Sequence, residues 1–359
     1  MLLEQLNLRN FRCFSEARLE LHPGLNWIIG QNASGKTSLL EALFFLGHGR
    51  SFRSNRPDRL ISLGAEGFEI VARLGLGERK QVLGVGRTGG NTEARFSGEP
   101  LKSMAEAARL LPVVILDSAM NNLVGGGPGE RRRWLDWGVF HVEQQFLSVW
   151  RAYRQALRQR NMALKSGTSD RGLAPWNKAV AKSGELLTSL RREHFNTLNP
   201  VVIDYIAIAL PECDVGMDYR NGWPEEETLA EALERHAARD REQGNTLSGP
   251  HRADVLIRTG GLPAEEGLSR GQQKMLAGAL WLAQVQRFIE LTDQRPVLLV
   301  DDLAAELDGD RLERFLELLA RQPTQQILTA ISDAEMVRTG LTGGKVFHVE
   351  HGEVSVHSG

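Results

Sequence analysis

Gly30-Gln31-Asn32-Ala33-Ser34-Gly35-Lys36-Thr37 matches the pattern GxxxxGK[ST] at every position. These residue types suit the grip of a nucleoside triphosphate. Gly30 and Gly35 let the backbone bend so that successive N–H groups face phosphate oxygens. A helix starting near Lys36 aims the positive end of its dipole at the same place. Lys36 offers a point charge to the β- and γ-phosphates, and Thr37 a hydroxyl to Mg²⁺. Ser38 follows as a further candidate contact. The flanks carry as much weight as the motif. Leu25–Ile29, bounded by Pro23-Gly24 and Gly30, predicts a buried strand, and Leu39, Leu40, Leu43 and Phe44 fall at helical spacing over Thr37–Leu46. Strand, glycine loop and helix in that order are the context this motif requires.

A second acidic feature lies far downstream. Val297-Leu298-Leu299-Val300-Asp301-Asp302 is an apolar run ending in two carboxylates. A buried strand would deliver Asp301 to the edge of a parallel sheet, where it can hold Mg²⁺ directly or through water. Asp302 stands where it can orient or deprotonate an attacking water, which makes Asp302 and Lys36 the catalytic candidates. More than 260 residues separate Lys36 from Asp301. Kinases and GTPases usually keep these parts closer, whereas a split head with a large insertion is the layout of ABC and SMC-type ATPases. Leu268-Ser269-Arg270-Gly271-Gln272-Gln273-Lys274 resembles the ABC signature LSGGQ. Ser269 suits a helix N-cap and Gly271 permits close backbone approach, so Ser269, Arg270, Gly271 and Gln272 form a second anion-binding candidate. In ABC and SMC-type proteins this segment meets the γ-phosphate bound by the other subunit. Ala305-Glu306-Leu307-Asp308 resembles the D-loop, which adds Asp308 to the nucleotide-contacting set.

The elements that must position these residues read as an α/β head interrupted by helices. Strands are expected at Leu3–Leu8, Arg18–Leu21, Phe68–Leu74, Gln81–Val85 and Val113–Leu116. From Glu130 to about Gln243 the pattern is helical and largely free of strand-like alternation. A break at Ser166–Gly172 followed by Pro175 separates two long helices, and a third is expected over Glu225–Arg241. Strands at Asp254–Arg258, Val297–Val300 and Gln326–Ala330, helices at Gly271–Leu291 and Arg311–Leu319, and a terminal hairpin complete the head. The expected fold is therefore α/β: a two-lobed P-loop ATPase head of the ABC/SMC type, from 1–127 and 246–359, with a helical arm inserted at 128–245.

Composition over 359 residues, 42% hydrophobic and 25% charged, is an ordinary soluble globular balance. No apolar stretch approaches the ~20 residues that span a bilayer. Met1 to Asn10 lacks a signal-peptide core, so the cytoplasm is expected. Cys13 and Cys213 lie far apart and are expected to be inert packing residues. Charge is unevenly spread. Arg131–Phe195 holds 13 Lys/Arg and 5 Asp/Glu, a balance of +8 in a chain of net −2, which leaves −10 for the rest. Such a segment points to an anionic partner, or to solvated helix faces. Arg151, Arg154, Arg158 and Arg160 cluster on one of its helices.

The chain resembles the RecF family of bacterial DNA-repair ATPases over residues 3 to about 335. Leu8-Arg9-Asn10-Phe11-Arg12 is similar to the family's NFR segment, and His48-Gly49-Arg50-Ser51-Phe52-Arg53 to the stretch after its phosphate helix. Gly127-Pro128-Gly129-Glu130-Arg131-Arg132-Arg133-Trp134-Leu135-Asp136 matches GPxxRRxxLD. Gly249-Pro250-His251-Arg252-Ala253-Asp254 resembles GPHRDD, with Ala253 for the first Asp. Asp302–Asp308 fits DxxSELD, with Ala305 for Ser. Two departures stand out. Leu116-Asp117-Ser118-Ala119-Met120 replaces the family's Ser-Pro-Glu/Asp run, so no ligand role passes to it, and Leu328-Thr329-Ala330-Ile331-Ser332 has hydroxyls where a switch histidine would stand. The resemblance implies a slow, DNA-stimulated ATPase with ATP and Mg²⁺ as cofactors. It implies an ATP-dependent homodimer on double-stranded DNA near gaps or junctions, and RecR as partner, with RecO and the loading of RecA downstream. A transporter subunit would carry its helical region just before the signature and need a membrane partner. A full SMC protein needs long heptad arms, and about 115 inserted residues are too few. A DNA-binding scaffold without catalysis would account for a phosphate loop and two carboxylates only if the site bound ATP without hydrolysing it, which a turnover assay separates.

Overall fold

The computed structural model describes residues 2–76, 79–302 and 307–356. The chain forms two compact units, Met1–Met120 with Phe288–Gly359, and Asn121–Arg287.

The first unit, the head, opens with β1 (Leu2–Phe11) and β2 (Phe14–Glu20), a hairpin turning at Arg12, whose φ is +56°. β3 (Leu25–Ile29) runs into the glycine loop and α1 (Lys36–His48). β4 (Gly67–Leu76), β5 (Arg79–Thr88), β6 (Asn91–Phe96) and β7 (Glu99–Pro100) extend the first hairpin into a six-stranded antiparallel sheet of order β2-β1-β4-β5-β6-β7. Helix α2 (Met104–Leu110) and strand β8 (Val113–Leu116) follow.

The second unit contains α3 (Asn122–Gly125), α4 (Pro128–Val142), α5 (Phe146–Lys165) and the 40-residue α6 (Asp170–Ala209). Pro175 and Pro200 both lie inside α6, so Pro175 does not mark its boundary as the sequence suggests. The segment read as helical and largely free of strand-like alternation nevertheless contains a strand. β9 (Val215–Arg220) forms and pairs antiparallel with a strand beginning at Asp254. The single helix expected over Glu225–Arg241 is two, α7 (Leu229–Arg235) and α8 (Ala237–Gln243), with His236 between them. Thr228 caps α7 in a reciprocal box with Glu231, which fixes its start. β10 (Asp254–Thr259), β11 (Leu262–Pro263), α9 (Ala264–Gly267) and α10 (Arg270–Thr292) complete this part, and α10 carries the chain back to the head.

There, β12 (Val297–Val300), α11 (Gly309–Ala320), β13 (Gln325–Ala330), α12 (Asp333–Arg338), β14 (Lys345–Glu350) and β15 (Glu353–Val356) build a second six-stranded sheet of order β15-β14-β3-β13-β12-β8. Strands β14, β3, β13, β12 and β8 are parallel, and only β15 runs against its neighbour. Parallel strands buried on both faces read as continuous apolar runs, which is why Val297–Val300 is fully buried. Helix α1 is buried on nearly every side, because it lies between the two sheets and packs on both. Phe11, Phe45 and Phe68 meet edge to face at 5.2 and 5.3 Å in this core. Arg12 clamps the helix by donating from Nε and Nη2 to the fully buried Glu41 at 2.7 Å each, and Ser51 donates to the same carboxylate. The NFR and HGRSFR segments thus converge on one buried acid and fix α1 in place.

Candidate nucleotide site at the carboxyl ends of the parallel strands

Four adjacent parallel strands end together: β3 at Gly30, β13 at Thr329 and Ala330, β12 at Asp301 and β8 at Asp117. The carboxyl ends of such strands are where α/β folds bind ligands.

The loop after β3 is shaped for close approach. A Cβ on Gly30 would lie 2.3 Å from the Val349 carbonyl oxygen and 2.6 Å from Ser34 Oγ, so no other residue fits. Gly35 has φ +123°, outside the range of ordinary residues, and Ala33 adopts a left-handed φ of +64°. Lys36 is 4% exposed; its Nζ donates to the carbonyls of Gly30 at 2.8 Å and Gln31 at 3.3 Å. Helix α1 has no side-chain cap at its N-terminus, where Gly35 stands. Ser34 Oγ is buried and has no hydrogen-bond partner among the described residues. An uncapped helix end and an unsatisfied buried hydroxyl fit an anion bound at this loop. Gln31, Asn32 and Ala33 are exposed at the loop's tip, while Ser38 is buried on the first turn of α1. Cys13 is exposed rather than packed inside, with its sulfur beside Gly35.

Thr37 Oγ1 donates to Asp301 Oδ1 at 3.2 Å, so a residue of the loop and one 264 positions away stand side by side. A hydroxyl and a carboxylate at that spacing are a donor set for Mg²⁺. Asp301 is held above the usual carboxylate range, mainly by burial and then by the charge of Asp302. Asp302 adopts φ +48°, a left-handed turn immediately after Asp301, and both carboxylates reach the Thr329 hydroxyl, at 2.9 and 3.1 Å. Beyond the aligned pair Val300 and Leu116, Asp301 N–H donates to the Leu116 carbonyl at 2.9 Å, which brings Asp117 alongside. Burial, and then Asp301, push Asp117 up to about 6. Of this group, sequence reasoning assigns no role to Asp117 or Thr329, although both fall in the two segments that depart from the family pattern. The signal for both is position, each ending a strand beside one already singled out.

The remaining predicted residues belong to other elements of the chain. Ser269, Arg270, Gly271 and Gln272 lie in the second unit at the start of α10. Ser269 Oγ accepts the Gln272 N–H at 3.3 Å and Gln272 Oε1 accepts the Ser269 N–H at 3.0 Å, a capping box. The Ser269 hydroxyl keeps its own proton to give, and Ser269 and Arg270 are exposed. Asp308 caps α11 by accepting the Arg311 N–H at 3.1 Å. Ala305 and Glu306 lie outside the described residues.

The family motifs of the second unit pair with one another. Arg131 makes a bidentate ion pair with Asp254 at 2.7 and 2.9 Å, and Arg132 donates to the Ala253 carbonyl at 2.6 Å. Arg191 clamps Asp136 at 2.7 and 2.8 Å and also reaches the Pro250 carbonyl. GPxxRRxxLD and GPHRAD are thus two halves of one bracket, and Ala253 contributes through its backbone. The basic helix divides similarly. Arg160 is 1% exposed and bound to Asp240 at 2.6 Å, so it cannot act as a surface cation as the sequence suggests. Arg151, Arg154 and Arg158 are exposed; with Lys165, Trp150, Leu157 and Met162 they line a groove of about 500 Å³ whose lining has no carboxylate among the described residues.

The model of the RecF/RecN/SMC N-terminal domain matches residues 2–355. A DNA replication and repair protein RecF of Shewanella baltica is 38% identical over 358 residues, 99% of each chain. The chain belongs to the RecF family. A RecF of Shewanella woodyi is 39% identical over 99% of this chain and 98% of its own. Among solved structures, the recombination mediator protein RecF with ATP, of the RecFOR pathway, superimposes with TM-score 0.89 at 25% identity, covering 99% of this chain and 98% of that one. An Smc head bound to the C-terminal winged-helix domain of ScpA has TM-score 0.63 at 16% identity, covering 99% and 97%, which relates the fold alone. This RecF-family chain therefore has the α/β architecture of an ABC/SMC-type head. Among the described residues, no helix is long and apolar enough to cross a membrane.

Proposed function

We propose that this RecF-family chain is an ATP-dependent DNA clamp of recombinational gap repair. The observation that carries the reading is the 3.2 Å hydrogen bond from Thr37 to Asp301, which unites the phosphate loop with the acidic strand. ATP would bind along Gly30–Thr37, with the N–H groups of the loop and Lys36 on its phosphates. Thr37 and Asp301 would hold Mg²⁺, which supplies neutralising charge to the phosphates when bound. Asp302 would orient the attacking water. The exposed Ser269–Gln272 segment would complete the γ-phosphate site of a second copy, giving a homodimer with two shared nucleotides and Asp308 near the seam. Hydrolysis would open the dimer, so that ATP times residence on double-stranded DNA near gaps. Relatives described as RecFOR-pathway mediators support RecR as the direct partner, with RecO and RecA downstream.

The test is a pair of variants. Asp301→Asn should weaken Mg²⁺-dependent ATP binding. Asp302→Asn should bind ATP, lose turnover and accumulate as a dimer in light scattering with ATP. An Asp302→Asn protein that stays monomeric with ATP removes the hydrolytic role of that residue.

A further inference from the structure

The hydroxyl of Thr329 stands at the centre of the acidic pair. Thr329 is the penultimate residue of β13, the strand between the one leading into the phosphate loop and the one ending in Asp301. It is 4% exposed. Its Oγ1 accepts the backbone N–H of Asp302 at 2.8 Å, and lies 2.9 Å from Asp301 Oδ1 and 3.1 Å from Asp302 Oδ1. The β12–β13 register pairs Val300 with Leu328, so Thr329 arrives beside Asp301 by strand alignment. A β-branched side chain has few rotamers, which fixes where the hydroxyl points.

One hydroxyl has one proton. Thr329 can therefore satisfy Asp301 or Asp302, but not both at once. Asp301 Oδ1 already accepts the Thr37 hydroxyl. When Thr329 also gives its proton to Asp301, the Asp302 carboxylate keeps all its lone pairs for a water. When it gives the proton to Asp302, it draws that carboxylate back toward the strand. In both states the bond from the Asp302 N–H holds the φ +48° turn from which the carboxylate projects.

We propose that Thr329 is a positioning residue that holds the Asp301–Asp302 turn and, by where it gives its single proton, sets whether Asp302 is free to take a water. This inference rests on the ATPase reading above and deepens it at the same site. It requires a hydroxyl on a β-branched or similarly small side chain and no titration of either acid. The hydroxyl touches neither nucleotide nor water in this role, so it is not itself catalytic.

The experiment compares Thr329→Val, which keeps the shape and removes the hydroxyl, with Thr329→Ser, which keeps the hydroxyl. Wild type and Asp302→Asn run alongside. ATP·Mg²⁺ binding is measured by equilibrium dialysis, turnover by phosphate release, and dimer lifetime by light scattering after dilution of ATP. Thr329→Val should bind ATP·Mg²⁺ within about threefold of wild type, lose at least tenfold in kcat with KM little changed, and prolong the dimer. Thr329→Ser should recover most of the kcat. In the Asp302→Asn background, Thr329→Val should cause no further loss, because both act through one carboxylate. Should valine prevent folding, Thr329→Cys, a weaker donor of similar size, should still fold and show a reduced kcat at unchanged affinity. Full kcat in the valine or cysteine variant overturns the proposal, as does a valine defect shared equally by binding and turnover that serine fails to rescue. A wild type without ATPase, or an Asp302→Asn protein that turns over normally, instead overturns the underlying reading of the site.

Discussion

Replacing Arg160 should unfold the second unit more readily without altering any surface. Its Nη1 donates to Asp240 Oδ2 at 2.6 Å and Thr246 Oγ1 at 2.8 Å, and its Nε to Asn177 Oδ1 at 2.8 Å. The two charged side chains are 1% and 0% exposed. In Arg160→Met the aliphatic stem is replaced but Asp240 is left charged in the interior, with only the Leu247 N–H, at 3.0 Å on its other oxygen, remaining among the described residues. Removing one partner of a buried pair costs about 3–5 kcal/mol, because the survivor's desolvation is no longer offset. Asp240→Leu should cost a similar amount by stranding the guanidinium. The double variant Arg160→Met/Asp240→Leu should cost less than the sum of the two, since no uncompensated charge remains. Urea midpoints followed by tryptophan fluorescence give the three values. A loss of under about 1 kcal/mol for Arg160→Met, against the expected range, would refute the reasoning and return Arg160 to the solvated face.

The exposed cations of the same helix should behave oppositely. The triple change of Arg151, Arg154 and Arg158 to Ala should alter stability by no more than about 0.5 kcal/mol per site. If these residues meet DNA phosphates, it should flatten the slope of log affinity against log salt by up to about 0.9 for each phosphate no longer neutralised; an unaltered slope in a filter-binding series makes them ordinary surface charges. Lys36→Ala should weaken ATP binding, and Lys36→Arg should bind but fail to hydrolyse, because a planar fork cannot replace a point charge; unchanged turnover in both would remove the phosphate loop from the site. Stability should also fall with acid. His194 and His251 are both lowered to about 4 by burial, from an ordinary 6.5. The unfolded chain binds their protons first, so their contribution is whole above pH 6.5 and lost as pH falls toward 4, by about 2 kcal/mol each at pH 5. Urea midpoints at pH 8 and pH 5 measure the loss, and His194→Gln should reduce it; a flat profile would contradict it.

The parts of the site written in contiguous residues are legible in the sequence. Gly30–Thr37 and Val297–Asp302 each combine an element with the chemistry at its end, so local pattern and function coincide. What escapes a reading of the sequence depends on partners distant in the chain. β9 has only Tyr219 buried, and exists because β10 offers a backbone to pair with, from Val215↔Thr259 to Arg220↔Asp254. Pro175 and Pro200 are tolerated in α6 because packing against α5 and α4 outweighs local preference. Arg160 looks like a surface cation by charge alone, although the helical period points the other way. Tyr153, Ala156, Arg160 and Leu164 fall at spacings of three and four, and all are buried. Thr329 carries no motif of its own. Its importance comes from strand order, which sets β13 between the phosphate loop and the acids.

The most direct test of a clamp with shared nucleotides is complementation between two inactive proteins. Ser269→Arg should leave ATP binding to one chain nearly intact and block ATP-driven dimerisation, since a bulky cation would fill the approach to the γ-phosphate. Lys36→Ala should fail at the phosphate loop. In a mixed dimer, one of the two sites joins an unaltered loop to an unaltered signature. ATPase rate measured against mixing ratio should therefore rise above that of either protein and peak near equal amounts. A rate equal to the sum of two inactive proteins at every ratio, with a molecular mass that ATP does not change, would contradict the shared-site dimer.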